Sequence, residues 1–268
     1  MQDDLVLTVE ADGVALVTLN RPAARNALSR ELLRRLREVF ETFAANDSVG
    51  AVILTGSDPA FCAGLDLKEL SGSSGLLDDG VSGDNREPGV PTGSPWRPLG
   101  KPLIGAVNGV AITGGLELAL NCDFLIASER AVFADTHARV GIMPGWGLSV
   151  LLPERVGFAM ARRMSFTGDF VDARRALECG LVTEVVPHDQ LLVRALSLAA
   201  TVAANHRPAV LALHDSYRRI QTEFSGNAME LESEASRRWR RAGGADELAT
   251  RVPGVFERGR TQAGGASS

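Results

Sequence analysis

The sequence predicts an α/β fold with a helical C-terminal section, and three observations carry that expectation. Short apolar runs of strand length occur at Ala51-Val52-Ile53-Leu54-Thr55-Gly56 and Leu103-Ile104-Gly105-Ala106-Val107. Each leads through a glycine-containing turn into a helical start. From Gln190 to Arg260 the chain reads as almost all helix. Alternating β and α followed by a helical tail fits an α/β core with appended helices. The boundaries drawn are residues 1–200 for the core, 201–262 for the helical section and 263–268 for a small, polar tail expected to be disordered.

The elements follow in order. Val6–Val9 and Val14–Leu19 flank Ala11-Asp12-Gly13, a hairpin signal. Ser29 can cap a helix running to about Asn46, with Leu32, Leu33, Leu36, Val39, Phe40 and Phe43 on one face. Strand 51–55 leads into the Ala63-Gly64-Leu65 turn. Residues 71–98 are rich in Ser, Gly, Asp and Pro and read as a mobile loop that could form one wall of a pocket, with Trp96 near its end. Strand 103–107 then runs through the Gly114-Gly115 turn into a helix. Phe124–Ala127 and Val132–Ala134 are short strands. Ser149–Arg155 and Phe158–Phe166 are helical, separated by Gly157. Asp172 caps a helix to Cys179, and Leu181–Val186 is a strand closed by Pro187. Breaks in the helical tail are expected near Arg207-Pro208 and at Gly226, Gly243-Gly244 and Pro253-Gly254.

Bulk properties narrow the function. With 268 residues and 45% hydrophobic content the chain can bury a large core. A net charge of −5 gives no general attraction to nucleic acid or to an anionic membrane. Cys62, Cys122 and Cys179 have no metal-ligand spacing and suit a reducing cytosol. The acids at Asp3, Asp4, Glu10 and Asp12 do not fit a signal peptide, and no apolar run reaches the length of a membrane span. A cytoplasmic setting is the expectation. No Walker, zinc or dinucleotide motif occurs, so no metal or redox cofactor is implied.

The chemistry concentrates at Asn108-Gly109-Val110-Ala111-Ile112-Thr113-Gly114-Gly115-Leu116-Glu117. A turn into a helix aims bare backbone N–H groups at whatever faces it, and Glu117 lies in the first helical turn beside them. Donors for a developing negative charge next to a carboxylate make a catalytic arrangement. The same spacing also fits glycines that serve only the turn and tight packing. The Ala63-Gly64-Leu65 turn offers a second strand-end donor.

Five segments in order resemble the enoyl-CoA hydratase/isomerase (crotonase) superfamily, over about residues 5 to 260. They are Asn20-Arg21-Pro22 with Asn26-Ala27-Leu28; Phe61-Cys62-Ala63-Gly64-Leu65-Asp66-Leu67; Lys101-Pro102 through Asn108-Gly109; Gly114-Gly115-Leu116-Glu117-Leu118; and Cys122-Asp123. The resemblance implies a crotonase-like spiral of ββα units, with the helical tail joining subunits into trimers or paired trimers. It implies an acyl-CoA thioester as substrate, CoA being part of the substrate and not a cofactor. It also implies an oxyanion hole formed by the N–H groups of Leu65 and Gly114. Glu117 matches a catalytic glutamate of the hydratases, which add water to a 2-enoyl-CoA in fatty acid metabolism.

One position departs from that pattern. His137, in Ala134-Asp135-Thr136-His137-Ala138-Arg139-Val140-Gly141, stands where hydratases with two glutamates carry the second. A histidine can accept or donate a proton near neutral pH, and it can equally be a tolerated replacement. Asp135 fits a turn-forming aspartate better than an inward carboxylate. Hydration, double-bond isomerisation with Glu117 as single base, and acyl-CoA binding without turnover all remain open. For CoA itself, the resemblance implies Arg25 near the phosphates and the Ala63 carbonyl at the adenine. Asp66 and Lys68 belong to the same groove, and Phe256 with Arg258 would close over the ligand. Trp146, between Gly145 and Gly147, fits either a narrowed acyl pocket or a core aromatic.

Overall fold

The computed structural model describes residues 5–66, 69, 89–244 and 251. Lys68, Phe256, Arg258, the tail 263–268, the Pro253-Gly254 break and residues 71–88 of the expected loop lie outside these.

Two sheets set the architecture. Strands β1 (Val6–Ala11) and β2 (Val14–Leu19) form an antiparallel hairpin through Asp12 and Gly13, both at positive φ. Helix α1 (Arg30–Ala45) follows, and its N-terminus is capped by Ser29, whose hydroxyl accepts from Leu32 N at 3.1 Å. Strands β3 (Ala51–Gly56) and β4 (Ala60–Cys62) come next, then β5 (Leu103–Val107) and β6 (Val110–Ile112), helix α2 (Gly114–Leu120), and strands β7 (Phe124–Ser128) and β8 (Val132–Ala134). The chain continues with α3 (His137–Val140), α4 (Leu148–Thr167), β9 (Val171–Asp172), α5 (Ala173–Glu178) and β10 (Glu184–Val186). Helices α6 (Leu191–Ala204), α7 (Arg207–Ser225) and α8 (Ala228–Arg241) end the described chain.

The larger sheet runs β1-β2-β3-β5-β7-β10 and is parallel from β2 onward. The smaller runs β4-β6-β8-β9. The ββα repeat is visible in this pairing. The strand pairs β3/β4, β5/β6 and β7/β8 each place a first strand in the large sheet and a second in the small one. The sequence reading ran from strand 103–107 straight into the helix; it passed over β6, which is three residues long and gives no periodic signal. Likewise Leu181–Val186 is shorter than expected: only 184–186 pair with β7, while Leu181 and Val182 are core residues before it.

Both faces of the large sheet are covered, which is why β3 reads as a continuous apolar run. Successive side chains point to opposite faces. Val52 and Leu54 join the main core with α1, Phe61, Leu116 and Phe133, whereas Ala51 and Ile53 pack with Leu191, Ala195 and Ala199 of α6. Trp96 packs edge-on against Phe40 of α1, with ring centroids 4.7 Å apart, so the end of the 71–98 segment is anchored in the core. Lys101 is buried, and its ammonium donates to the carbonyls of Phe43 (2.6 Å) and Asn46, satisfying the C-terminus of α1. Among the described residues no helix is long and apolar enough to cross a membrane.

Of the two uses that the spacing of the Gly114-Gly115 pair allows, Gly115 serves tight packing. Neither glycine has positive φ. A Cβ on Gly115 would stand 2.1 Å from the Cys62 carbonyl oxygen, so β4 and α2 can approach only across a bare Cα. Gly115→Ala is therefore expected to cost about 1–3 kcal/mol through overpacking. That corresponds to a fall of roughly 2–12 °C in the thermal midpoint, measured by circular dichroism.

Candidate functional site

The turn that opens α2 is strained where no glycine stands. Thr113 sits at φ 53°, ψ −114°, a conformation unfavourable for a β-branched residue. It is held by its own N–H donating to Ala134 O at 2.9 Å and by its hydroxyl, 2.5 Å from that of Thr136. The strained residue directly precedes Gly114 and sets the direction of that N–H, one of the unsatisfied donors of a helix start.

The second expected donor lies beside it. Leu28 and Leu65 form a parallel bridge in which Leu28 N donates to Gly64 O (2.8 Å) and Asp66 N donates to Leu28 O (2.9 Å). That pattern uses the groups flanking Leu65 and turns its own N–H away from Leu28. Gly64 has φ +93°, and a Cβ there would be 3.7 Å from Gly114 N. A Cβ on Gly114 would in turn meet Leu28, Leu65 and Trp146 at 3.4–3.6 Å. The two turns found separately in the sequence are neighbours in space.

Glu117 points into the same region and is 3% exposed. Its Oε1 accepts from Gly145 N (3.1 Å) and Trp146 N (2.7 Å), and its Oε2 faces His137 Nε2 at 3.5 Å. His137 Nδ1 lies 2.6 Å from Asp135 Oδ1, which also accepts the His137 backbone N–H at 3.1 Å. Asp135 is thus both the turn former and an inward carboxylate, a correction to the sequence reading. It follows the last residue of β8, so the strand delivers it to the interior, where it is 2% exposed.

The chain Asp135–His137–Glu117 is electrostatically lopsided. Burial pushes the His137 proton affinity down, but the charge and hydrogen bond of Asp135, then those of Glu117, raise its pKa to about 10. Burial likewise opposes ionisation of Asp135, and the neighbouring imidazolium outweighs it, holding that carboxyl below its usual range. The ring is thereby biased toward the imidazolium form, with Asp135 at Nδ1 and Glu117 at Nε2.

The CoA-side residues divide. Arg25 is exposed, and its carbonyl accepts from Ala63 N at 3.0 Å, so both flank one edge of the Leu65 turn. Asp66 is engaged by Arg21 at 3.0 Å, and Arg21 also donates to Ala27 O. Asp66 therefore ties the turn to the 21–28 segment. Trp146 is 2% exposed, with one ring edge against Gly114 and its carbonyl accepting from Asn121 Nδ2 at 2.9 Å. Its Nε1 is buried without a hydrogen-bond partner among the described residues. One further buried group had no sequence signal: Glu232 of α8 accepts from Gly147 N and Ser149 N beside the Glu117 contacts.

Comparison with known proteins decides the family. The family model described as Enoyl-CoA hydratase/isomerase matches residues 9–239. The chain belongs to this family. A "Probable enoyl-CoA hydratase" of Rhizobium meliloti (strain 1021) is 41% identical over 220 residues, 80% of this chain and 81% of that protein. The crystal structure of an enoyl-CoA hydratase from Mycobacterium smegmatis superimposes with a TM-score of 0.79 at 51% identity, covering 89% of this chain and 99% of that one. A monofunctional enoyl-CoA isomerase from the same organism superimposes with a TM-score of 0.67 at 34% identity, over 81% and 93% of the two chains.

The raised His137 value fixes a pH dependence of stability. A folded-state pKa above the unfolded one contributes stability that is complete below the unfolded value, ~6.5, and is lost as pH rises through the folded value. Urea midpoints of the wild type and Asp135→Asn should therefore differ most between about pH 5 and 6.5 and converge as pH passes about 10. Midpoints separated equally at all pH values would contradict the assignment.

Proposed function

We propose that this chain is an enoyl-CoA hydratase, a carbon–oxygen lyase that adds water to a 2-enoyl-CoA thioester in fatty acid metabolism. The observation that carries the reading is the buried Glu117 carboxylate. Two backbone N–H groups clamp it, and its second oxygen faces an imidazolium next to the Gly114 helix start.

The chemistry follows from this arrangement. The thioester oxygen is received by the N–H groups of Leu65 and Gly114. Glu117 Oε2 takes a proton from a water molecule while the water oxygen bonds to the β-carbon. The β-carbon π electrons move through the α-carbon to the thioester oxygen, giving an enolate that the two donors stabilise; each such donor is worth on the order of 10²–10³ in rate. The enolate collapses as the α-carbon takes a proton from His137 Nε2. Proton transfer from Glu117 to His137 restores both groups, and the sum is one water added. Asp135 keeps the ring oriented and charged.

Arg25 and the Ala63 carbonyl form the CoA edge of the site in this proposal, and Lys68, Phe256 and Arg258 remain expectations for the same ligand. The exposed apolar face Leu213, Tyr217, Ile220 and Phe224 of α7 supports assembly with further copies of the chain, as a homotrimer or dimer of trimers in this proposal; a cytoplasmic location is part of the same proposal.

Isomerisation is the second reading, because Asp135 lies behind the ring and leaves Glu117 as the single carboxylate base of this arrangement. Wild type, Glu117→Gln and His137→Ala are compared on crotonyl-CoA, a longer 2-enoyl-CoA and a 3-enoyl-CoA. Expected is loss of enoyl-thioester absorbance with the 2-enoyl substrates, reduced at least ~10²-fold by Glu117→Gln. Absorbance gain from the 3-enoyl substrate alone would establish the isomerase. Tight binding without conversion of any substrate would leave an acyl-CoA binding protein.

A further inference from the structure

Helix α8 lies along the segment from Gly141 to Ser149. Trp239 Nε1 donates to Gly141 O at 3.0 Å. Glu232 Oε1 accepts from Gly147 N at 2.7 Å and its Oε2 from Ser149 N at 2.5 Å. Met229 fills the space beside Gly147 and Gly93 that a side chain on either glycine would need. From the opposite side the same stretch is held by Glu117 through Gly145 N and Trp146 N, and by Asn121 through Trp146 O. The backbone N–H groups of Gly145, Trp146, Gly147 and Ser149 therefore all end on two carboxylates, one from α2 and one from α8. Both side chains are at most 5% exposed.

Two buried carboxylates on one short loop repel each other, so the arrangement needs a reason. Burial first, and then the charge of Glu117, push the Glu232 carboxyl above its ordinary value, while its bonds to Ser149 and Gly147 oppose them. Those N–H groups lie at the start of α4, where the helix dipole favours an anion. A staple for the helix alone would not require the loop it grips to be the one that grips Glu117.

We propose that Glu232 is a positioning residue: it fixes the Gly145–Ser149 loop, and through that loop it fixes the aim of Glu117. Docking of the C-terminal helix is thereby wired to the base of the site. This rests on the reading of Glu117 as the base. Glu232 itself touches neither substrate nor Glu117, and its effect passes through the backbone amides.

The test uses the full chain as Glu232→Gln, with Trp239→Phe as a control that removes a different tie between α8 and the same segment. Three quantities are measured: kcat and KM on a 2-enoyl-CoA, the thermal midpoint, and hydrogen exchange of the amides at 145–149. In Glu232→Gln an amide NH₂ faces one of the two backbone donors. Faster exchange at 145–149 is expected, with kcat down about tenfold or more and KM within about threefold, since small misplacement of a base is costly. Trp239→Phe is expected to lower the midpoint while leaving kcat within about twofold. The proposal is overturned if kcat in Glu232→Gln stays within about twofold of wild type, or if Trp239→Phe slows turnover equally. A wild type that converts no enoyl-CoA defeats the hydratase reading separately. The exchange data then stand alone, and unchanged exchange at 145–149 in Glu232→Gln overturns the clamp.

Discussion

A carboxylate taken out of water must be solvated by the protein, and the rest of this site depends on how that is done for Glu117. An isolated buried anion is too costly to keep. Here backbone N–H groups of Gly145 and Trp146 take one oxygen and leave the other facing His137. The base is held by backbone amides, which neither take nor give up a proton as acids or bases near neutral pH, so its orientation is fixed while its second oxygen faces His137. The loop providing those donors must in turn be rigid, and this constraint accounts for the contacts of Asn121 and Glu232 with the same few residues.

The fold delivers the two halves of the site by stacking repeated strand pairs. First strands enter the six-stranded sheet and second strands the four-stranded one, so the ends of β4, β6 and β8 meet at one edge. From these ends come the Leu65 turn, the Thr113-Gly114 turn and Asp135. The bare Cα of Gly115 lets α2 approach the Cys62 carbonyl, and the strained Thr113 is held by its bonds to Ala134 at the end of β8 and to Thr136 just beyond it. Strain of this kind survives only where surrounding structure over-determines it, and here it lies next to the reactive position.

Much of this was legible in the sequence, for identifiable reasons. The apolar run of β3, the Ser29 and Asp172 caps and the Gly157 break each leave a local mark, and each appears in the structure. Glu117 and His137 were singled out and do face each other. The strand β6 was missed because three residues carry no period. Tight packing at Gly115 is one of the two readings its spacing allows, but its partner, the Cys62 carbonyl, is a tertiary fact with no local mark. Asp135 read as a turn residue because its backbone bond to His137 is a turn bond; its burial depends on β8 joining a sheet. Glu232 had no signal at all. With Ser233 and Ser236 it forms a polar stripe that a helical wheel assigns to solvent, whereas the three are the buried residues of α8.

His137 can give a proton where a second glutamate is absent only if its ring is an imidazolium between Asp135 and Glu117 when the enzyme works. Nitrogen-15 NMR of the histidine rings, with His137 assigned by its absence in His137→Gln, reads this directly. Both His137 nitrogens are expected to remain protonated at pH 8, with the ring titrating near about 10. A His137 ring that is neutral at pH 8, with one nitrogen bare, would contradict it.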